Sequence, residues 1–297
     1  MMAGERAAGI LLVAASAVAY STAGFYTRLI PLDPWTILFW RGLFAGGFIA
    51  AWVAARDGRR ALAGVRAMGW PGFVVAACSG VATILFINAF RRTSVAEVVI
   101  ILATLPFVTA AIGRVAFGIR ERPATLAASA LALGGVALMA GGGGWAHGRM
   151  IGALLAAGTT VLMAVMMLTV RRHRATPMLP AAAASALLAA LLAVPFAAPQ
   201  AVTAREMAEL ALFGVTQFGL GLLLLTLGTR LVSATESALI GTIEVPLAAL
   251  WVWLAFAQTP RWSTVAGGAV VIAAVLWHVG WSGTPATRAV RVASQSG

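Results

Sequence analysis

Hydrophobic residues fall into ten runs of about twenty positions, and short segments rich in Arg, Pro and Gly separate the runs. A helix of about 20 apolar residues spans the hydrocarbon core of a bilayer. The runs are rich in Ala and Leu and do not alternate polar with apolar positions as barrel strands do. The pattern therefore predicts an all-α polytopic membrane protein with ten transmembrane helices, over residues 9–30, 35–54, 70–90, 95–114, 123–141, 150–170, 178–198, 209–229, 235–256 and 262–281.

The second half of the chain repeats a pattern of the first half. The motif R-x-x-S-x-x-E occurs at the start of span four and again, 139 residues later, at the start of span nine. Its members are Arg91, Ser94 and Glu97 in the first copy and Arg230, Ser233 and Glu236 in the second. Within the same two spans, Pro106 and Pro246 match at a shift of 140. An ordered set of matches at nearly one spacing indicates an internal duplication.

The duplication divides the chain into four segments. We expect a first five-helix repeat over residues 1–141, a Gly-rich joint over 142–149, a second five-helix repeat over 150–282 and a polar cytoplasmic tail over 283–297. Because five is an odd number, the second repeat enters the membrane from the opposite side, and the repeats are inverted. Inverted repeats are typical of secondary transporters, whose substrate site lies near the midplane between the repeats.

Composition and charge exclude a soluble protein and a nucleic-acid-binding protein. Hydrophobic residues make up 61% of the chain and charged residues 10%, whereas a soluble domain is about a quarter charged. The formal charge of +12 comes from Arg residues scattered between the apolar runs, so it reports topology rather than a binding patch. The first run is too long for a cleaved signal peptide, and we treat it as a span. With the N-terminus inside, 14 Arg residues fall inside and 6 outside, which predicts that both termini are cytoplasmic.

Two segments of the chain resemble a known family of membrane proteins. They are Phe39-Trp40-Arg41 with Ala45 in span two, and the run from Ser94 to Pro106 followed by Gly118-Ile-Arg-Glu121. In the second half the corresponding run is 233–246. On these motifs the chain resembles the EamA-type drug/metabolite transporter superfamily. It departs from the family at Thr259-Pro260, where the second repeat usually has Gly-Glu.

This resemblance implies ten helices in two repeats and the transport of small metabolites across a membrane. Within the superfamily, the chain most resembles bacterial exporters of aromatic amino acids in its length and compact loops. The resemblance therefore implies efflux of aromatic amino acids, or of related amphiphiles, across the bacterial inner membrane.

Three side chains near the middle of predicted spans are candidates for a substrate site. Glu244 is the deepest acid, and it could bind a substrate ammonium group, carry a proton, or pack at a helix kink. Gln217 in span eight matches Cys78 in span three at the 139-residue shift, so we expect both at the interface of the repeats. Gln217 could bind a carboxylate or amine, or bond to a neighbouring helix. Cys78 could line the site or act as a small packing residue.

Further candidates combine aromatic, cationic and helix-breaking residues. Tyr20 lies at the centre of span one, where its ring could stack on an aromatic substrate or pack in the core. Arg41 in span two could attract a carboxylate or brace the fold. Trp251 lies deeper than an interfacial Trp and could line a cavity or face lipid. Pro106 and Pro246 are expected to kink matched helices and to serve as conformational positions.

Other classes of function fit the sequence less well. An enzyme needs convergent catalytic groups, and the three His residues and the lone Cys lie too far apart for a catalytic or metal-ligand motif. We therefore expect no enzyme activity, no metal and no cofactor. A transporter of phosphate esters needs several cations at midplane, and only Arg41 is available. The expected partners are a small-molecule substrate and the lipid bilayer, and the expected state is a monomer. A passive channel stays open as an alternative to a carrier that works by alternating access.

Overall fold

The computed structural model describes residues 3–93, 95–139, 150–200, 202–257 and 259–281. Within these ranges every regular element is a helix, and the predicted joint and tail lie outside the described residues. The α-helices, in chain order, are α1 (Ala3–Ser21), α2 (Ala23–Leu29), α3 (Pro34–Asp57), α4 (Ala61–Ala67), α5 (Gly69–Arg92), α6 (Val95–Ala103), α7 (Leu105–Phe117), α8 (Pro123–Met139), α9 (Met150–Arg172), α10 (Leu179–Ala193), α11 (Ala204–Leu212), α12 (Leu220–Thr229), α13 (Ala234–Gly241), α14 (Glu244–Phe256) and α15 (Trp262–Trp281). A π-helix, Phe213–Gly219, joins α11 to α12.

These helices follow the predicted spans. Span one is α1 with α2, span four is α6 with α7, span eight is α11 with the π-helix and α12, and span nine is α13 with α14. Spans two, three, five, six, seven and ten are α3, α5, α8, α9, α10 and α15. Among the described residues, eight helical stretches are long and apolar enough to cross a membrane, while α7 and α8 are shorter apolar helices. The structure confirms an all-helical multi-pass protein, and the count of ten spans stays a prediction.

The helices pair in the way that two related repeats require. Helix α1 of the first repeat packs on α12 of the second repeat. Its equivalent in the second repeat, α9, packs on α5 of the first repeat. The pairs α3 with α10 and α8 with α15 each join equivalent helices. Gly135 and Gly267 bring α8 and α15 into backbone contact, because a Cβ at either position would collide with the other helix. The largest apolar core accordingly draws on both repeats, with Val13 and Leu239 among its members.

Both copies of the proline-containing span are broken near the middle. The first break is at Thr104, between α6 and α7, and the second is at Thr242 and Ile243, between α13 and α14. Each threonine hydroxyl donates to a carbonyl three residues earlier, at 2.6 Å in both cases. Pro106 and Pro246 follow the breaks and lack the N–H that a continuous helix needs. The predicted kinks therefore coincide with real interruptions of the helices.

Spans one and six differ although they occupy equivalent places. Ser21 and Thr22 donate to carbonyls three residues earlier, and span one is interrupted there between α1 and α2. In the middle of span six, Thr159 and Thr160 donate to carbonyls four residues earlier, and α9 runs on without a break. Side chains that bond to a carbonyl three or four residues back compete with the helical ladder and can bend it. The first repeat therefore carries an interruption that span six lacks.

Candidate substrate site

Tyr20 lies immediately before the break in span one, where its side chain is partly accessible. Its ring packs against Gly221 of α12, and a Cβ at Gly221 would come within 3.1 Å of the ring carbons. The small residue thus makes room for an aromatic ring between the two repeats. The backbone carbonyl of Tyr20 accepts a hydrogen bond from Gln217 Nε2 at 3.4 Å. Tyr20 is therefore tied to span eight by packing and by a long hydrogen bond.

Gln217 belongs to the π-helix of span eight, and it is buried with 3% of its surface exposed. A π-helix widens the turn, and such segments are frequent at functional sites. Gly214 lets this segment approach α3, because a Cβ there would lie 2.8 Å from the carbonyl oxygen of Arg41. The wide turn and the close approach together place Gln217, Phe213 and Phe218 around the Arg41 side chain.

Arg41 is held by contacts that leave its charge uncompensated. Its Nη1 donates to Gln217 Oε1 at 3.4 Å, and its guanidinium carbon lies 5.5 Å from the ring centre of Phe213 and 4.5 Å from that of Phe218. Among the described residues, Arg41 forms no salt bridge, and its buried Nε has no hydrogen-bond partner. Cation–π contacts stabilise a guanidinium by about 0.5–2 kcal/mol. They orient this cation but do not neutralise it.

Glu244 is the first residue of α14, directly after the break in span nine. Protein surrounds its carboxyl group, yet part of the residue's surface stays accessible. Within the described part of the chain, its carboxylate forms no salt bridge. Tyr20 lies within electrostatic range of both Glu244 and Arg41. The structure therefore brings a charge from each repeat near the same tyrosine.

Trp251 and Cys78 lie farther from these charges. Trp251 Nε1 donates to Ser21 Oγ at 2.8 Å, which ties α14 to the break in span one. Trp251 also borders a groove of about 350 Å³ together with Thr22, Phe25, Tyr26, Leu254 and Ala255. Cys78 packs in the large apolar core that also contacts Tyr20, and its helix α5 is regular where span eight has a π-helix. Of the six predicted substrate residues, the structure thus gathers Tyr20, Arg41, Gln217 and Glu244 most closely.

The comparison with known families decides the class of protein. Residues 7–141 and 150–280 each match the model of the EamA-like transporter family. The chain belongs to the EamA-like transporter family. It is therefore a membrane transporter, and the two matched regions are its two repeats.

This EamA-like transporter also has relatives of known structure. No curated protein matches its sequence. Of 29 chains of known structure that match, one is a protein with a crystal structure that aligns with a TM-score of 0.79 and 19% sequence identity. The match covers 91% of this chain and 96% of that chain. At that identity the likeness shows a shared fold.

One charged cluster of the EamA-like transporter was missed by sequence reasoning. Glu236 in α13 accepts a hydrogen bond and an ion pair from Arg6 in α1, and it lies 3.4 Å from Nε2 of His278 in α15. Nearby, the Thr235 hydroxyl donates to Glu121 Oε1 at 2.9 Å. The contacts of Arg6 with Glu236 and of Thr235 with Glu121 join the first repeat to the second. We call the end of the bundle that carries them the latch face.

The sequence contained one signal for the latch face. Glu236 is the acid of the second R-x-x-S-x-x-E motif, at a position where an acid stabilises the start of a helix. It does lie in the first turn of α13, where its backbone N–H donates to the hydroxyl of the N-cap residue Ser233 at 3.0 Å. The side chain, however, reaches across the repeats to Arg6, 230 positions away. A contact over such a separation leaves no trace in local periodicity.

Proposed function

We propose that this EamA-like transporter exports small metabolites, with aromatic amino acids as the favoured class, through a midplane site between its repeats. The observation that carries the proposal is the meeting of polar side chains from both repeats inside the bundle. Tyr20 and Arg41 come from the first repeat, and Gln217 and Glu244 come from the second. Polar groups are costly in a bilayer and are retained where they face a cavity, a partner or a substrate. A site shared by two repeats changes shape when the repeats move.

The preference for aromatic amino acids rests on the resemblance to the bacterial aromatic amino acid exporter YddG. The aromatic rings around the site support it, since Tyr20, Phe213 and Phe218 all lie beside Arg41. Offset stacking and edge-to-face contacts between rings contribute about 0.5–1.5 kcal/mol beyond the burial of their area. An aromatic side chain would therefore bind here more favourably than an aliphatic one of similar size.

The proposed mechanism is alternating access, in which the repeats rock about the site. At the latch face, Arg6, Glu236 and Thr235 hold the two repeats together. Toward the opposite face, α14 has no buried residue. We assign the latch face to the cytoplasm of a bacterial inner membrane, with both termini on that side, because most Arg residues fall there. On this assignment the structure corresponds to an outward-facing state of a monomer.

Two alternatives lead to different measurements. Inverted repeats also build channels, and a channel conducts without saturation or exchange. An exporter of other small amphiphiles would exchange substrates but would not prefer amino acids. The contacts that join the repeats at the latch face support a carrier, because a conducting channel needs a path that is open to both sides at once.

The test is transport by the purified protein in liposomes. We expect saturable counterflow of radiolabelled L-phenylalanine when the liposomes are loaded with unlabelled aromatic amino acids, and none in protein-free liposomes. The panel should include aliphatic amino acids and aromatic amphiphiles, each measured with and without a pH gradient. Flux that rises linearly with concentration and shows no exchange would contradict the carrier. Saturable exchange of amphiphiles, with no exchange of any amino acid, would identify the protein as an exporter of other small amphiphiles.

A further inference from the structure

Arg41 is a cation inside the bundle whose hydrogen-bonding capacity is mostly unused. A guanidinium offers five N–H donors, and the structure shows one side-chain hydrogen bond from Arg41, at the long distance of 3.4 Å to Gln217. Its Nε is buried and has no partner among the described residues. A buried charge without a counter-charge is strongly unfavourable. The arrangement around Arg41 is therefore incomplete until an anion binds, and a carboxylate matches the planar fork of a guanidinium best.

Glu244, which also lies within electrostatic range of Tyr20, presents the complementary case. It is an acid that protein surrounds, that remains partly accessible, and that forms no salt bridge within the described ranges. Arg41 and Glu244 do not pair with each other, although Tyr20 lies within electrostatic range of both. The two opposite charges thus share Tyr20 as a neighbour. A cationic group is the natural partner for Glu244.

We propose that the site recognises the zwitterionic backbone of a free α-amino acid, with its carboxylate on Arg41 and Gln217 and its ammonium group on Glu244 and Tyr20. This inference deepens the proposed function and rests on it. One molecule then satisfies both isolated charges at once. Because Arg41 belongs to the first repeat and Glu244 to the second, the bound substrate links the repeats electrostatically. Compounds that carry only one of the two charges leave the other charge unpaired.

The test compares three compounds with the same phenyl ring in liposomes that contain the purified protein. L-phenylalanine has both charges, phenethylamine lacks the carboxylate, and 3-phenylpropionate lacks the amine. We expect the wild-type protein to transport phenylalanine at least tenfold faster, in kcat/KM, than either analogue. A site that hydrogen-bonds a substrate group rejects an analogue without that group much more strongly than it rejects a change in apolar size.

Two variants separate the roles of the charges. Arg41→Gln should raise the preference for phenethylamine relative to phenylalanine by about tenfold or more, because the unpaired cation is gone. Glu244→Gln should raise the preference for 3-phenylpropionate relative to phenylalanine by a similar factor, because the unpaired anion is gone. A matched control is Arg205→Gln, since the Arg205 side chain is 83% exposed at the start of span eight. This control should change neither ratio.

The outcomes distinguish this inference from the proposed function. Wild-type transport of all three compounds at similar rates overturns the zwitterion site while leaving a carrier in place. Transport of none of them contradicts the proposed function itself. Folded variants with wild-type ratios also overturn the inference. If Arg41→Gln does not fold, Arg41→Lys replaces it, and a Lys variant with unchanged KM for phenylalanine would exclude a bidentate carboxylate contact at this position.

Discussion

The two halves of span nine show the contrast between the two faces of the transporter. In α13, at the latch face, all residues from Ala234 to Ile240 are buried, whereas α14, toward the opposite face, has no buried residue. Each half carries one acid, Glu236 in the 8-residue α13 and Glu244 in the 13-residue α14. The longer and more apolar half is the less buried one, so composition alone does not explain the difference. It arises because α13 packs among helices of both repeats, α1, α7, α8, α9 and α12, whereas α14 packs mainly on α1, α2 and α15.

A charge difference between the repeats accompanies the difference in packing. At the 139-residue shift, the position that matches His278 is Met139. The acid Glu236 has a sequence counterpart, Glu97, but its neighbour His278 has none at that shift. Repeats with equivalent folds can therefore differ in their charged contacts. On the proposed mechanism, the Arg6–Glu236 pair stabilises the state that is closed at the latch face.

The largest expected effect comes from Glu236→Gln, which removes the carboxylate that Arg6 and His278 share. Breaking a buried ion pair costs roughly 3–5 kcal/mol, and partial exposure of Arg6 places this case at about 3 kcal/mol. Since 1.4 kcal/mol is a factor of ten, the latch face should open roughly a hundredfold more often. Hydrogen exchange of the α13 amides in nanodiscs measures this change.

The control for the latch variant is an ion pair at the opposite face. Glu209 pairs with Arg205 at 3.0 Å, and the Arg205 side chain is largely exposed. Exposed pairs contribute about 0–1 kcal/mol, so Glu209→Gln should leave exchange in α13 unchanged. If α13 and α14 exchange at equal rates in the wild-type protein, the contrast between the two faces is wrong.

A second prediction concerns packing at the latch face, and its effect is smaller. Gly228 of α12 lies against α1, and a Cβ there would come within 2.6 Å of Val13 Cγ2 and 3.0 Å of the Val13 backbone nitrogen. Overpacking of this kind costs about 1–3 kcal/mol, so Gly228→Val should destabilise the protein by about 2 kcal/mol. Thermal unfolding in detergent measures the loss. Gly134→Val is the control, because a Cβ at Gly134 meets nothing within 4 Å; equal losses in both variants would contradict the prediction.

The smallest expected effect is at the opposite face, where Asp33 caps span two. Its Oδ1 accepts the backbone N–H groups of Trp35 at 2.9 Å and Thr36 at 3.0 Å. Loss of such a cap costs typically about 1 kcal/mol. Asp33→Ala should therefore lower stability by about that amount at neutral pH, whereas Asp33→Asn should keep most of it, because Asn is an equally good cap.

The stability that the Asp33 carboxylate contributes at the opposite face should depend weakly on pH. Partial burial opposes ionisation of Asp33, but hydrogen bonds with Thr36 and Trp35 outweigh it and lower the pKa of the carboxyl group. A group whose pKa falls on folding stabilises the folded state above its unfolded pKa, about 3.9, and loses that contribution as the pH drops through its folded pKa. Thermal unfolding between pH 3 and 7, roughly the window set by the reference pKa, should show this loss for wild type and not for Asp33→Asn. Identical pH profiles for wild type and Asp33→Asn would show that ionisation of Asp33 does not contribute to stability.

The sequence predicted the central residues better than their arrangement. Glu244, Gln217, Tyr20 and Arg41 stood out because polar groups within apolar runs are few and carry meaning. Their roles in binding stay predictions, while their proximity is visible in the structure. The π-helix around Gln217 left no signal, because its wide turn depends on the approach of α3 rather than on local propensity.

The sequence by itself determined that the chain is an apolar, helical and duplicated membrane protein, because bilayer thickness, backbone hydrogen bonding and repeat spacing are all local or periodic constraints. Only the tertiary structure decided how the two repeats are joined. That choice depends on contacts such as Arg6 with Glu236 and Trp251 with Ser21, each between residues 230 positions apart. Such contacts form only after the helices of both repeats have packed, and equivalent repeats can make them differently.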